Sequence, residues 1–216
     1  MPSWPILSAL SDDEAHQLLA LARRRTYRRG EVVFHRDDPS DTLHLVSSGC
    51  FAVRVSTRLG DVSTLSLVGP GQCFGELALI RPEHLRSATV QALEAGETRT
   101  LSHVEFDRQR REHPALEAFL VDLLATRVAE LTERLVEALY TPAPQRVRLL
   151  IDELCERYRD TSGIAAIPLT QEDLAGLAGT SRLTVSRVLH NLKEQGMVEV
   201  RRGRISVCCD VPPPAP

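Results

Sequence analysis

The chain has 216 residues, 43% of them apolar, 25% charged and 4% aromatic. That is enough for one large domain or two small ones and too apolar for a disordered chain. Its net charge of −3 argues against a protein that coats nucleic acid by bulk positive charge, although a local basic face stays open.

No window holds the roughly 18 apolar residues that a membrane helix needs, and the first nine residues lack the pattern of a signal peptide, so a cytoplasmic protein is expected. Cys50, Cys73, Cys155, Cys208 and Cys209 form neither a C-x-x-C pair nor an even framework. Reduced thiols are expected rather than disulfides or a zinc ribbon.

In chain order, residues 11–24 read as a helix, because Ser11 with Glu14 has the form of a capping box and Leu18, Leu19, Leu21 and Ala22 make an apolar side. From residue 26 to 101 the pattern turns to short runs of β-branched and apolar residues broken by glycines. Strands are predicted at 32–34, 43–47, 51–56, 62–67, 88–93 and 98–101, which suits a sandwich or jelly roll.

After Pro114, Leu120, Leu124, Val128, Leu131, Leu135 and Ala138 recur at steps of three and four, with Arg127, Glu130, Glu133, Arg134 and Glu137 beside them. A helix over 115–140 with this narrow seam predicts a two-stranded coiled coil and hence a homodimer. The competing reading is one long helix packed on its own β-domain. Thr141, Pro142, Ala143 and Pro144 stop the helix, since proline lacks the N–H and restricts its predecessor.

Beyond that break, residues 146–157 read as a helix, 160–165 as a loop, 171–178 and 181–195 as two short helices, and 197–200 with 204–207 as a hairpin. Helix, helix-turn-helix and hairpin make a winged-helix layout. Leu174, Leu177, Ala178, Val185, Val188, Leu189 and Leu192 face inward, Thr170 caps one helix, Gly179 supplies the turn, and Thr180 or Ser181 caps the second. Arg182, Leu183, Ser186, Arg187 and His190 are left on the outward side. Arginine can donate two hydrogen bonds to a guanine edge, so Arg182 and Arg187 are the candidate base readers, while Leu183 offers only apolar contact. The hydroxyls of Thr170 or Thr180, with Arg201, Arg202 and Arg204 of the hairpin, suit phosphates. From residue 180 to 204 six basic residues face two acidic ones, a local balance of 6 − 2 = +4. A solvated charged face is the alternative.

The most informative stretch is Gly71-Gln-Cys-Phe-Gly-Glu-Leu-Ala-Leu-Ile80 followed by Arg86-Ser-Ala-Thr-Val90. Gly75 lets the backbone approach a ligand, Glu76, Leu77, Ala78 and Leu79 can start a short helix whose N–H groups meet an anion, and Arg86 and Ser87 suit a phosphate. Glu76 beside a phosphate makes sense if it accepts from a sugar hydroxyl while Arg86 offsets its charge. Otherwise Glu76 and Arg86 simply pair across a loop.

These two blocks, their spacing and the order of parts resemble the cyclic-AMP receptor protein branch of the Crp/Fnr transcription regulators, over residues 32–207. The resemblance implies an α+β chain: a jelly-roll cyclic-nucleotide-binding domain over 1–112, a dimerisation helix over 113–140, a hinge at 141–144, a winged helix-turn-helix DNA-binding domain over 145–211 and a tail at 212–216. It implies that Glu76 holds the ribose 2′-OH and that Arg86 and Ser87 hold the cyclic phosphate of an effector, cyclic AMP, with Gly75 and Ala88 lending backbone. The resemblance further implies a homodimer on a palindromic duplex site, with RNA polymerase as a further partner, and no metal or catalysis.

The chain departs from the family in two places. Leu131 and Thr132 stand where the family has threonine and serine against the adenine, and only Thr132 can hydrogen-bond. Leu183 stands where the family has a glutamate that accepts from cytosine, so the half-site is expected to match TGTGA at the guanines and differ between them.

A jelly-roll metal enzyme needs clustered ligands, and the seven histidines show no H-x-H pair with a following carboxylate. A regulator of the same type that needs no ligand, or answers to redox or haem, is the remaining alternative. It would draw on Cys50, Cys73 or His84.

Overall fold

The computed structural model describes residues 4–7, 11–56, 62–80, 85–201 and 204–208; His84 and Arg202 lie outside them. The chain divides into two compact units, residues 1–55 with 65–131 and residues 56–64 with 132–216.

Helix α1 (Asp12–Leu21) opens on the expected capping box, with the Ser11 N–H donating to Glu14 Oε2 at 2.8 Å and the Glu14 N–H to the Ser11 hydroxyl at 3.4 Å. Strands β1 (Arg23–Tyr27), β2 (Val32–Phe34), β3 (Thr42–Ser48), β4 (Phe51–Ser56), β5 (Val62–Val68) and β6 (Cys73–Phe74) precede the one-turn helix α2 (Leu77–Ile80). After it come β7 (Thr89–Ala92), β8 (Gly96–Ser102), α3 (His103–Glu112) and the long α4 (Pro114–Tyr140). The strands form two four-stranded sheets, ordered β1-β8-β3-β6 and β2-β7-β4-β5, the jelly roll that the spacing predicts.

Three elements of this unit depart from the sequence reading, β6 among them, because its two residues give no alternation to read. Helix α1 stops before Arg23, because Arg23 to Tyr27 pair with Thr100 to Gly96 as an edge strand. Helix α3 was not expected at all.

Successive side chains of a strand point to opposite faces, and β3 is buried on both. Val46 joins Phe51, Val68, Phe74, Val90 and Ala92 between the sheets. Leu43 and Leu45 lie in a second cluster with Leu18 of α1, Phe106 of α3 and Leu116 and Leu120 of α4. The competing reading of the long helix, packing on its own β-domain, holds for its first turns. Leu116 and Leu120 pack on their own domain, whereas Val128, Leu131 and Leu135 are 63%, 58% and 59% exposed in the single chain.

The second unit contains α5 (Ala143–Tyr158), β9 (Ile164–Ile167), α6 (Gln171–Leu177), α7 (Arg182–Glu194), β10 (Val198–Arg201) and β11 (Arg204–Cys208). Helices α5, α6 and α7 pack on one another through Val147, Ile151 and Leu154 of α5, Leu174 of α6 and Val185, Leu189 and Leu192 of α7, all buried. Residues 164 and 165, expected in a loop, belong to β9, which pairs with β11 from Ile164↔Cys208 to Ile167↔Ile205 in a sheet ordered β10-β11-β9. The expected four-residue break is shorter, because α5 already starts at Ala143 with a proline in its first turn, where the missing N–H has no helical partner to lose.

Candidate ligand pocket and nucleic-acid interface

The stretch holding Gly75 and Glu76 is placed by β6, whose Phe74 and Cys73 pair with His44 and Leu45 of β3. Arg86 is fixed by the turn before β3: its N–H donates to the Asp38 carbonyl at 3.0 Å, and its carbonyl accepts from the Asp37 N–H at 2.9 Å. Gly75 has φ +88°, and a Cβ there would overlap the Arg86 guanidinium and lie 3.0 Å from the Thr42 carbonyl oxygen. Glycine is therefore required twice, for the left-handed backbone and for the close approach.

Arg86 is 4% exposed. Its Nη1 donates to the Thr42 carbonyl at 2.9 Å and its Nη2 to the Thr42 hydroxyl at 2.8 Å, and its Cζ sits 3.8 Å from the centroid of the Phe34 ring. Burial lowers the guanidinium to about 10, opposed by the nearby carboxylates of Asp41 and Glu76, so it keeps its charge at neutral pH. Its Nε is buried and has no hydrogen-bond partner among the described residues. A charged donor left like this costs on the order of 1–3 kcal/mol until an acceptor arrives, which is the property of an anion site.

Glu76 is 7% exposed. It is not simply the partner of Arg86, since its Oε1 lies 3.6 Å from Arg127 Nε on α4. Arg127 also donates from Nη2 to the Cys73 carbonyl at 2.9 Å, which fastens α4 to the segment carrying Gly75 and Glu76. The sequence reading set Arg127 among the charges flanking the helix seam. Only its spacing from Leu124 and Val128 could have hinted that it turns toward the β-domain.

Leu77 and Ala78 lie in α2, Ser87 is exposed beside Arg86, and Ala88 is buried. Leu131 and Thr132 are exposed on α4. The structure thus brings Gly75, Glu76 and Arg86 together and adds Thr42, Phe34 and Arg127 to them.

Aromatic rings back the site. His44 stacks on Phe74 with centroids 4.7 Å apart and planes 14° from parallel, and its Nδ1 lies 3.3 Å from the Thr98 hydroxyl. Burial, reinforced by the charges of Arg86 and Arg25, pushes the imidazole down to about 3, so it is neutral. Cys73 is buried, and burial together with the Glu76 charge raises its thiol to about 12. A thiol in that state is a packing group rather than a redox sensor, and Cys50 is buried as well.

In the second unit, Gly179 adopts φ +57° at the turn between α6 and α7. Arg146 of α5 holds that turn, donating to the carbonyls of Ala178 and Gly179 at 2.9 and 2.8 Å and to that of Thr141 at 2.6 Å. Ser181, rather than Thr180, is the N-cap of α7, accepting from the Thr184 N–H at 3.3 Å.

Thr170 is the N-cap of α6, as expected, and in the structure its hydroxyl is turned to Asp173 and not outward to a phosphate. Its hydroxyl donates to Asp173 Oδ2 at 2.7 Å and accepts from the Asp173 N–H at 3.1 Å, a capping box whose second half the sequence reading missed. Thr180 is half-buried, while Arg182, Leu183, Ser186, Arg187 and His190 are all exposed on α7. On the hairpin, Arg201 pairs with Glu199 through two contacts of 2.9 and 3.3 Å. Because the pair is exposed it is weak, but it offsets part of the charge assigned to the wing.

Comparison with known proteins agrees with this division. The model of the cyclic nucleotide-binding domain matches residues 24–113, and that of the Crp-like helix-turn-helix domain matches residues 145–209. The chain is 34% identical over 208 residues to the Cyclic AMP receptor protein of Thermus thermophilus, covering 96% of this chain and 94% of that one. It is 29% identical over 180 residues to a CRP-like cAMP-activated global transcriptional regulator of Mycobacterium tuberculosis, covering 81% and 79%. Among solved structures, the c-di-GMP responsive global regulator CLP of Xanthomonas campestris superposes with a TM-score of 0.78 over 91% of this chain and 99% of that one, at 20% identity.

Proposed function

The chain belongs to the Crp/Fnr family of transcription regulators, with a cyclic-nucleotide-binding domain and a Crp-like helix-turn-helix domain, and we propose that cyclic AMP binding in its jelly roll controls its grip on DNA. The observation that carries this reading is the buried, charged Arg86, whose Nε has no partner among the described residues, beside the Glu76 carboxylate. A ligand that answers both needs an anionic phosphate and a hydroxyl close together, as a cyclic nucleotide has. Arg86 and Ser87 hold the phosphate, Glu76 accepts from the ribose 2′-OH, and Gly75 and Ala88 line the approach. Relatives from Thermus and Mycobacterium that are named for cyclic AMP favour adenosine. Thr132 offers the base a hydrogen bond that Leu131 cannot.

In this proposal the exposed half of α4, with Val128, Leu131 and Leu135, is covered by a second copy of the chain. The homodimer sets two α7 helices into successive major grooves, about 34 Å apart on a palindrome. Arg182 and Arg187 read guanines, Ser181 and Thr180 sit near the backbone, Leu183 and Ser186 touch bases between, and Arg202 meets phosphate. Ligand shifts the population toward the DNA-competent dimer only as far as it binds that state more tightly. The protein so described works in the cytoplasm, binds RNA polymerase at a promoter and carries out no catalysis. Parallel calorimetric titrations with cyclic AMP and cyclic GMP test the ligand. Saturable binding with preference for cyclic AMP is expected, and no heat with either nucleotide would overturn the assignment.

A further inference from the structure

Arg86 offers two forks of donors, and the structure treats them differently. One residue engages both nitrogens at the end of the guanidinium: Nη1 reaches the Thr42 carbonyl at 2.9 Å and Nη2 the Thr42 hydroxyl at 2.8 Å. Phe34 covers one face at 3.8 Å from Cζ, and Nη1 also touches the Gly75 carbonyl at 3.4 Å. On the side of the group, Nε is a buried donor with no partner among the described residues, and the second N–H of Nη2 points the same way in the planar group. A planar guanidinium clamped at one fork has no freedom to choose how it presents the other.

We propose that Thr42 is a positioning residue for the ligand phosphate: by gripping the end of Arg86 it turns the Nε–Nη2 side of the guanidinium toward the two exocyclic phosphate oxygens in one fixed order. The proposal rests on the cyclic-nucleotide reading of the pocket. Thr42 never touches the ligand itself. Its hydroxyl is the part that a side-chain replacement can remove, because the carbonyl belongs to the backbone of β3. Valine keeps the branched shape a strand favours and deletes the hydroxyl, whereas serine keeps the hydroxyl.

The test uses the full-length protein and three probes, cyclic AMP and its two phosphorothioate diastereomers, in which sulfur replaces one or the other exocyclic oxygen. The native protein should bind cyclic AMP and discriminate between the diastereomers, because each oxygen meets a different donor. Thr42→Val should weaken cyclic AMP about ten-fold, the effect of losing one hydrogen bond to a charged group, and should bring the ratio between the diastereomers toward one. Thr42→Ser should restore both. Unchanged affinity in Thr42→Val would overturn the proposal, as would an equal loss for all three probes with the ratio intact, which would mark Thr42 as merely structural. A native protein indifferent to the diastereomers would overturn it too. Failure of the native protein to bind cyclic AMP would instead bring down the ligand reading and this inference with it.

Discussion

Arginines on the two units sit in opposite surroundings, and each surrounding suits a different kind of partner. Arg86 is 4% exposed, held by Thr42 and faced by Phe34; Arg182 and Arg187 stand exposed on α7. A buried guanidinium has its direction fixed and is little screened by salt, so it selects one small anion of matching shape. An exposed one can reorient and is screened within about 10 Å at ordinary ionic strength, which suits a long polyanion read by docking a whole helix. The overall charge of −3 hides this contrast.

The sharpest way to break the comparison is to remove the buried arginine. Arg86→Leu should abolish cyclic-AMP binding, a loss of about 100-fold or more given a charge-assisted contact in a desolvated site. The circular-dichroism spectrum should stay native, and calorimetry reads the affinity.

Removing an exposed arginine should cost less and differ in kind. Arg187→Ala should weaken binding to a cognate palindrome by about 1–3 kcal/mol per contacted base pair while sparing random DNA, as measured by fluorescence anisotropy on both duplexes. An equal loss on the two duplexes would reduce Arg187 to a phosphate contact.

A smaller effect should come from His44, which lies behind the buried site and is held neutral with its value down to about 3. An unfolded chain binds that proton near pH 6.5. Stability from this residue is therefore complete above pH 6.5 and is lost as pH falls from there toward 3. The loss approaches about 1.4 kcal/mol per pH unit. Denaturant titrations of the native protein and His44→Phe at pH 7 and pH 5 should show a smaller drop in the variant.

Much of the fold was legible because its signals are local. The Ser11 and Glu14 capping box, the turn glycines of the jelly roll and the stop at Pro142 each act within a few residues. What was missed lacks such a signal. Strand β1 reads Arg-Arg-Arg-Thr-Tyr and has four exposed positions out of five, so no alternation marks it. Helix α3 is too polar to show an apolar period, with only Phe106 and Gln109 buried.

At the pocket, Gly75, Glu76 and Arg86 stood out by their spacing. Their partners did not, because Thr42, Phe34 and Arg127 arrive from other strands and from the long helix. Long-range contact, rather than chemistry, hid them. Arg127 in particular looks like any charge beside a coiled-coil seam until the structure turns it onto Glu76.

The link between the two units is the central claim, and DNA affinity measured with and without nucleotide tests it most directly. Anisotropy titration of a labelled duplex carrying two inverted TGTGA-like half-sites should show binding tightened about ten-fold or more by saturating cyclic AMP, within the usual range of allosteric coupling. The Arg86→Leu protein should show no such gain. Equal affinity with and without cyclic AMP, or a gain that survives Arg86→Leu, would contradict the account.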